Sequence, residues 1–320
     1  MMDYDIVTIG SAGFDIYLSG KSIKPSLMSI DNSIKLENDT KYNVEHSVYE
    51  AGGEALNSAI LFARQGIATG IIAKMGKDHL ANQIKIIAKH EGIGTDLIVN
   101  KPEHHTDLRI HLVTERNHEI ELAYHNSGNS LRAKDVKYPK LKSKIIYFAQ
   151  LPDDFRIFKY YASWAKVHKA EIIVSITDIK RYKRRQINFV LNTASRILIS
   201  RSAAESFLEL EDPDPIDMIR LLNSFGANRV VLYDVIDKAY AFEDNNIFIS
   251  NSYKNINPLD INGADDVFAA GYTAAITQGK NTAEALTLAS ANACSVMEIF
   301  GCRTGILKKP ALRTMKVETR

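Results

Sequence analysis

Residues 260–272 read DINGADDVFAAGY, a polar turn with one glycine that leads into an apolar segment. The pattern predicts a helix over residues 266–278, with the turn just before it. A helix start presents unpaired backbone N–H groups and the positive end of the helix dipole, and a glycine lets an anion approach them closely. A carboxylate there is suited to accept a proton from a hydroxyl group. Taken alone, the same pattern also fits an Asp that caps an ordinary core helix.

Two segments nearer the N-terminus carry groups suited to holding hydroxyls. The glycine pair Gly52-Gly53 precedes a predicted helix that has Asn57 one turn in, and an amide both donates and accepts hydrogen bonds. Asp15 follows a predicted strand at residues 6–9, and parallel sheets bind ligands beyond the carboxyl ends of their strands. Taken singly, each of these residues is explained equally well by a turn or a polar helix start.

Short apolar runs rich in β-branched residues alternate with amphipathic stretches over most of the chain. The runs are residues 6–9, 71–73, 145–148, 172–174, 197–199 and 230–232, and the helical patterns include residues 54–65, 80–90 and 216–225. Runs that are apolar on both faces are typical of buried parallel strands. The alternation predicts an α/β fold with a doubly wound, mostly parallel sheet flanked by helices.

Two stretches interrupt this alternation. Residues 16–49 are polar and rich in turn formers, and residues 105–125 alternate in polarity around a predicted hairpin turn at Arg116-Asn117. We expect them to pair as a small β-sheet lid that closes over a ligand, with residues 1–15, 50–104 and 126–320 forming the core. The alternative is a pair of surface excursions without a function.

The composition narrows the classes of partner. The chain has 320 residues and a formal net charge of +2, with scattered Lys and Arg, so we expect no nucleic-acid partner. No stretch approaches the ~20 apolar residues of a membrane span, and the first residues lack the basic and apolar regions of a signal peptide. Two cysteines make no disulfide framework. We therefore expect a cytoplasmic protein without a membrane partner.

In this order and at these separations, the segments resemble the PfkB/ribokinase family of carbohydrate and nucleoside kinases. One family motif is a glycine pair separated by three residues from an Asn, as in Gly52, Gly53 and Asn57. Another is an Asp-Thr-Thr-Gly-Ala-Gly-Asp run, which appears here as residues 260–266. The resemblance extends over nearly the whole chain. It implies a ribokinase-like fold whose lid often supports dimers, so a homodimer formed through the lid is a further expectation.

The resemblance also implies transfer of the ATP γ-phosphate to a hydroxyl of a sugar or nucleoside, with Mg²⁺. Asp266 would be the base, and the anion hole would be formed by the N–H groups of Gly263, Ala264 and Asp265. The acceptor's hydroxyls would be held by Asp15, Gly52, Gly53 and Asn57. The nucleotide side would include Ser202, Glu205 (acting indirectly on Mg²⁺) and Asn292. Asp260 corresponds to a family position near a monovalent cation such as K⁺.

Four departures from the family pattern lie on the nucleotide side. Asp265 replaces the second glycine of the anion hole, and Ser202 replaces the Asn of an Asn-x-x-Glu motif that keeps Glu205. Residues 232–237 (LYDVID) and 175–178 (SITD) replace two further family turns. The four departures together suggest a second hypothesis, in which the protein is a degenerate kinase that binds a sugar or nucleoside with little phosphoryl transfer. The retained Asp266 and Glu205 favour an active kinase.

Overall fold

The computed structural model describes residues 3–21, 39, 41–113, 119–124, 130–136, 141–251, 258–308 and 317–319. Its strands are β1 (Asp3–Ile9), β2 (Gly13–Ser19), β3 (His46–Gly52), β4 (Thr69–Ile72), β5 (Lys74–Gly76), β6 (Val99–Lys101), β7 (Leu108–Val113), β8 (Glu119–Tyr124), β9 (Lys142–Phe148), β10 (Glu171–Ile176), β11 (Arg196–Ser200), β12 (Val230–Tyr233), β13 (Lys238–Glu243), β14 (Asn246–Asn251) and β15 (Val317–Thr319). Its helices are α1 (Glu54–Arg64), α2 (His79–His90), α3 (Arg156–His168), α4 (Arg184–Leu191), α5 (Arg201–Leu208), α6 (Pro215–Ser224), α7 (Ala264–Thr277), α8 (Thr282–Met297) and α9 (Cys302–Gly305).

The main sheet has the strand order β15-β14-β13-β12-β11-β10-β9-β1-β4. The six strands from β12 to β4 pair in parallel, and each contains one predicted apolar run, except that Ala73 of the run at residues 71–73 lies just beyond β4. Alternate side chains enter different core clusters, as Ile6 and Val7 of β1 do, because the sheet has an apolar core on each face. The predicted mostly parallel sheet flanked by helices is therefore confirmed. The antiparallel extension through β13, β14 and β15 was not predicted.

Helix α7 begins at Ala264, two residues before its predicted start. The cause is Gly263, which adopts a left-handed conformation with φ 76° and acts as the N-cap. This conformation favours glycine, and an added Cβ at Gly263 would lie 2.6 Å from the Sγ atom of Cys302. The early start puts both Asp265 and Asp266 in the first turn of the helix.

A separate four-stranded sheet has the order β3-β2-β7-β8. Strand β2 runs antiparallel to β3 and parallel to β7, and β7 pairs antiparallel with β8. This confirms a separate small sheet, although β2 begins at Gly13 and β3 ends at Gly52, outside the two stretches that interrupt the α/β alternation. The turn predicted at Arg116-Asn117 lies outside the described residues. The closing motion of this sheet, the domain limits and the dimer remain predictions. Within the described part of the chain, no helix is long and apolar enough to cross a membrane.

Candidate active site

A cavity of about 280 Å³ lies between the small sheet and the start of α7. The structure brings six of the predicted site residues to its lining, namely Asp15, Gly53, Asn57, Gly263, Asp265 and Asp266. A seventh, Gly52, lies beside it, because a Cβ added there would be 2.2 Å from the Oδ2 atom of Asp15. Residues from three distant parts of the sequence therefore meet at one place, at the carboxyl end of the parallel sheet.

The first turn of α7 forms one wall of this cavity. The N–H of Ala264 donates to the Ile261 carbonyl at 3.1 Å, and the N–H of Val267 donates to the Gly263 carbonyl at 3.1 Å. The N–H groups of Asp265 and Asp266 lie between these, in the turn where a helix has no internal acceptors to offer. The two N–H groups and the helix dipole together make this wall suitable for a phosphate group.

Asp266 is a partly exposed carboxylate at the meeting point of α1 and α7. The Nδ2 atom of Asn57 donates to its Oδ2 atom at 2.9 Å. Desolvation by the surrounding protein, followed by the nearby charge of Glu54, raises the pKa of Asp266 well above its ordinary value of 3.8. The Asn57 hydrogen bond and the positive charge of Arg109 oppose that rise in pKa. Burial therefore increases the affinity of the Asp266 carboxylate for a proton.

Asp265 also titrates at unusually high pH for an aspartate. Burial and the charge of Asp234 raise the pKa of Asp265 to about 6. Asp234 belongs to the turn between β12 and β13, where its Oδ1 atom accepts a hydrogen bond from the N–H of Ile236. Two of the four departures from the family pattern are thus linked, because the charge of Asp234 raises the pKa of Asp265.

Asp15 is held by an ion pair that the sequence analysis did not foresee. The Nε and Nη2 atoms of Arg109 donate to its two carboxylate oxygens at 2.5 and 3.1 Å, and the Nε2 atom of His111 lies 3.5 Å from Oδ1. The ring of His111 stacks on Tyr17, with centroids 4.2 Å apart. The sequence signal for this ion pair was the alternation of the polar residues Arg109 and His111 with the apolar residues of β7. Arg109 and Asp15 are neighbours on one face of the small sheet, because they are in register on the paired strands β7 and β2.

A second cavity of about 410 Å³ adjoins the first and shares Glu54 and Arg109 with it. Glu54 accepts a hydrogen bond from the hydroxyl of Ser11. On the other side of this cavity, the exposed Arg181 pairs with Asp153 at 3.2 Å. Glu54 and Arg109 therefore lie between the two cavities, and the only sequence signal for Glu54 was its position directly after the glycine pair.

The residues predicted for the nucleotide side are engaged elsewhere in the protein. The Nε atom of Arg201 pairs with the Glu205 carboxylate at 2.8 Å, and the hydroxyl of Ser202 lies 3.2 Å from that of Ser200. The buried amide of Asn292 donates to the Leu288 carbonyl at 3.0 Å and accepts from the Leu307 N–H at 3.1 Å. The described linings of the two cavities do not include Ser202, Glu205 or Asn292. Their nucleotide roles remain predictions.

Asp260 is the residue predicted to lie near a monovalent cation, and its carboxylate accepts hydrogen bonds from the protein backbone. The Asp260 carboxylate accepts hydrogen bonds from the N–H groups of Asn262 at 2.9 Å and Gly301 at 3.2 Å, so it braces the turn before α7. The K⁺ role of Asp260 stays a prediction. Over the described ranges, no three His, Cys, Asp or Glu side chains are grouped closely enough to hold a metal ion. Mg²⁺ that arrives with nucleotide phosphates needs only one or two carboxylates, and Asp265 supplies that donor type.

The comparisons with known proteins agree with this geometry. The family model described as pfkB family carbohydrate kinase matches residues 6–309. The chain is 22% identical over 317 residues to the 5-dehydro-2-deoxygluconokinase of Bacillus licheniformis, covering 92% of this chain and 90% of that protein.

Two solved structures show the same fold. The adenosine kinase from Sinorhizobium meliloti has a TM-score of 0.77 and 21% identity, covering 94% of this chain and 96% of that one. The Arabidopsis thaliana ribokinase complexed with ribose and ATP has a TM-score of 0.73 and 16% identity, covering 95% of this chain and 96% of that one. Since the family model spans nearly the whole chain, this protein belongs to the pfkB family of carbohydrate kinases.

Proposed function

We propose that the protein transfers the γ-phosphoryl group of ATP to a hydroxyl of an uncharged sugar or sugar-like molecule such as a nucleoside, with Asp266 as the general base. The observation that carries this proposal is the position of Asp266. Its carboxylate lies in the first turn of α7, beside N–H groups suited to a phosphate, and lines the same cavity as Asn57 and the Asp15–Arg109 pair. A base, an anion-binding turn and a polar pocket are the parts that phosphoryl transfer to a hydroxyl requires.

Each part has a defined task in this mechanism. Asp266 accepts the proton of the attacking hydroxyl, and the N–H groups of Asp265 and Asp266 stabilise the negative charge on the transferred phosphoryl group. Mg²⁺ bound with ATP would neutralise charge on the phosphates. The raised pKa of Asp266 increases its affinity for the proton, which suits a base that must remove a proton from an alcohol.

The charge of the cavity favours an uncharged acceptor. Its described lining contains the carboxylates of Asp15, Glu54, Asp265 and Asp266. Of the Lys and Arg residues, Arg109 alone belongs to that described lining. Arg109 is already paired with Asp15. An acceptor carboxylate ~4 Å from the Glu54 carboxylate would cost about 4 kcal/mol at an effective dielectric constant of 20. The kinase of Bacillus licheniformis is named for a gluconate, which bears a carboxylate, so we expect the two proteins to differ in acceptor.

We expect MgATP and an uncharged acceptor each to raise the melting temperature of the protein. The measurement is a thermal-shift titration with MgATP, uncharged sugars, nucleosides and matched sugar acids. A ligand at a hundred times its Kd stabilises the folded protein by about 2.7 kcal/mol, which is readily measured. If only sugar acids shift the melting temperature, the charge argument is wrong. If an acceptor shifts it and millimolar MgATP does not, the second candidate function below is favoured.

The second candidate is a protein of this family that binds a sugar or nucleoside with little phosphoryl transfer. The observation that favours it is the carboxylate of Asp265 in the anion-binding turn, near that of Asp234. A like charge ~4 Å from a phosphate costs about 4 kcal/mol at an effective dielectric constant of 20, roughly a thousandfold in rate if it all entered the barrier.

Asp265→Asn is expected to stabilise the protein at pH 7 and to tighten MgATP binding. Asp265 keeps its proton to higher pH in the folded chain than in the unfolded chain, so folded stability is lost as the pH rises from 3.8 through about 6. The substitution should therefore raise the free energy of unfolding at pH 7 by up to about 3 kcal/mol, and change it little below pH 4. Urea unfolding at both pH values measures this effect. Asp237→Asn, at an exposed carboxylate of the Asp234 turn, is the control.

Weaker MgATP binding by Asp265→Asn would mean that Asp265 helps to hold Mg²⁺ rather than repelling phosphate. A stability gain that is equal at the two pH values would mean that folding does not raise the pKa of Asp265.

A further inference from the structure

A group of buried hydroxyls lies close to the candidate active site and has no part in the proposed mechanism. Its members are Ser58 of α1, Tyr147 of β9, Ser175 of β10 and Tyr233 of β12, and each is at most 1% exposed. None of their four side-chain oxygen atoms has a hydrogen-bond partner among the described residues. A buried hydroxyl without a partner costs free energy, so four of them in one place require a common explanation.

The fold directs these four side chains toward the same space. Tyr147 and Tyr233 belong to the core cluster on the side of the main sheet that α1 and α7 cover. Ser175 follows Ile173 of the same cluster by two residues, and side chains two residues apart on a strand share a face. Ser58 is on the buried face of α1. One helix and three strands therefore each contribute a hydroxyl between the sheet and the helices.

The four hydroxyls are also neighbours of one another. Burial, followed by the charge of Asp266, raises the pKa of the Tyr147 phenol, and the nearby hydroxyls of Ser58 and Ser175 partly oppose that rise. Burial likewise raises the pKa of the Tyr233 phenol, and the hydroxyl of Ser175 again opposes the rise. Ser175 therefore lies within interaction range of both phenols. Even so, no two of the four hydroxyls meet with the length and angle of a direct hydrogen bond.

Ring packing fixes the positions of the two phenol oxygens. The ring of Tyr147 packs edge-on against Phe62 with centroids 5.1 Å apart, and the ring of Tyr233 stacks on Phe268 at 4.6 Å. Because these rings are buried, their hydroxyls cannot move to other partners, and a small partner must reach them instead. Water fits, since each hydroxyl both donates and accepts, and a buried water typically makes about three hydrogen bonds to polar groups that lack a protein partner.

We propose that Ser58, Tyr147, Ser175 and Tyr233 form a binding site for an ordered water molecule, enclosed between the main sheet and helices α1 and α7. The water bridges hydroxyls that do not reach one another directly, and so joins α1 to three strands of the sheet. Ser175 and Tyr233 each belong to a segment that departs from the family pattern, so the site gives these two departures a structural role of their own. The inference does not depend on the proposed function.

The direct test counts the water molecules that the protein holds for longer than its tumbling time, by ¹⁷O magnetic relaxation dispersion of the solvent. The combined variant Tyr147→Phe, Ser175→Ala and Tyr233→Phe keeps one hydroxyl of the four, and a buried water needs at least two polar partners. We expect this variant to hold at least one long-lived water fewer than the unmodified protein. The control is Tyr272→Phe, which removes a buried hydroxyl that accepts a hydrogen bond from the Nη1 atom of Arg196 at 3.3 Å and should leave the number unchanged. Equal numbers in the combined variant and the unmodified protein would overturn the proposal.

A stability test uses milder substitutions and does not require the combined variant to fold. With a shared water, Tyr147→Phe and Ser175→Ala should each lower the melting temperature by about 1–3 °C, the loss of roughly one net hydrogen bond in a protein of this size. The loss in their double variant should be smaller than the sum of the two, because both hydroxyls bind the same water. If the hydroxyls had no partner, removing either one would raise the melting temperature instead. Such a rise, or losses that add fully, would contradict the water site.

Discussion

Asp266→Asn is expected to lower kcat by about 10²–10⁴-fold, the contribution typical of a general base, while acceptor binding changes by no more than a few-fold. The amide has nearly the same shape as the carboxylate but cannot take the proton of the attacking hydroxyl. Burial opposes the charge on Asp266, so the variant should be at least as stable as the unmodified protein. Single-turnover phosphoryl transfer with excess enzyme measures the rate, and calorimetric titration measures acceptor binding.

The matched control is Asp217→Asn, which removes an exposed carboxylate that pairs with Arg220 on α6. It should retain full activity. An equal loss of acceptor binding and turnover in Asp266→Asn would show instead that Asp266 is a structural cap of α7.

Arg109→Met is expected to lower the free energy of unfolding by about 3–5 kcal/mol, the loss typical when one partner of a buried ion pair is removed. The Asp15 side chain would be left with its charge in a pocket where the residue is only 7% exposed. Gly52 closes one side of this pocket, since even a Cβ there would lie 2.2 Å from the Asp15 Oδ2 atom. Urea unfolding measures this loss, and adding Asp15→Asn to the variant should recover most of it.

Arg181→Met is the matched control for that prediction. Arg181 pairs with Asp153, but its side chain is 71% exposed, so its removal should cost less than about 1 kcal/mol. A double variant of Asp15 and Arg109 that is no more stable than Arg109→Met would show that packing, rather than the unpaired charge, accounts for the loss.

The fold was predictable because its signals are local. Runs such as residues 145–148 and 197–199 are apolar on both faces, and only a strand covered on both sides buries such a run completely. The start of α7 was placed two residues too late because Gly263 is its N-cap in a left-handed conformation, and the sequence pattern does not show that conformation or the close packing of Gly263 against Cys302. The antiparallel strands β13 and β14 are short and half-buried, so their sequence patterns are weak.

The site residues that belong to sequence motifs could be predicted, whereas those that are brought together by contacts between distant segments could not. Asn57 and Asp266 were both identified from motifs, and the structure brings their side chains into contact across 209 residues of sequence. The pairing of Arg109 with Asp15 depends on the register of β7 against β2, which no single-sequence pattern specifies. The pairing of Arg201 with Glu205, by contrast, follows from i,i+4 spacing on one helix and was within reach of the sequence.

The most direct test of the central claim is ³¹P NMR of the protein incubated with MgATP and a pooled set of uncharged sugars and nucleosides. We expect the γ-phosphorus signal of ATP to decline and a phosphate monoester signal of one acceptor to appear in equal amount, and we expect neither change with Asp266→Asn. ATP that stays intact while an acceptor is bound, or equal monoester formation by Asp266→Asn, would contradict it.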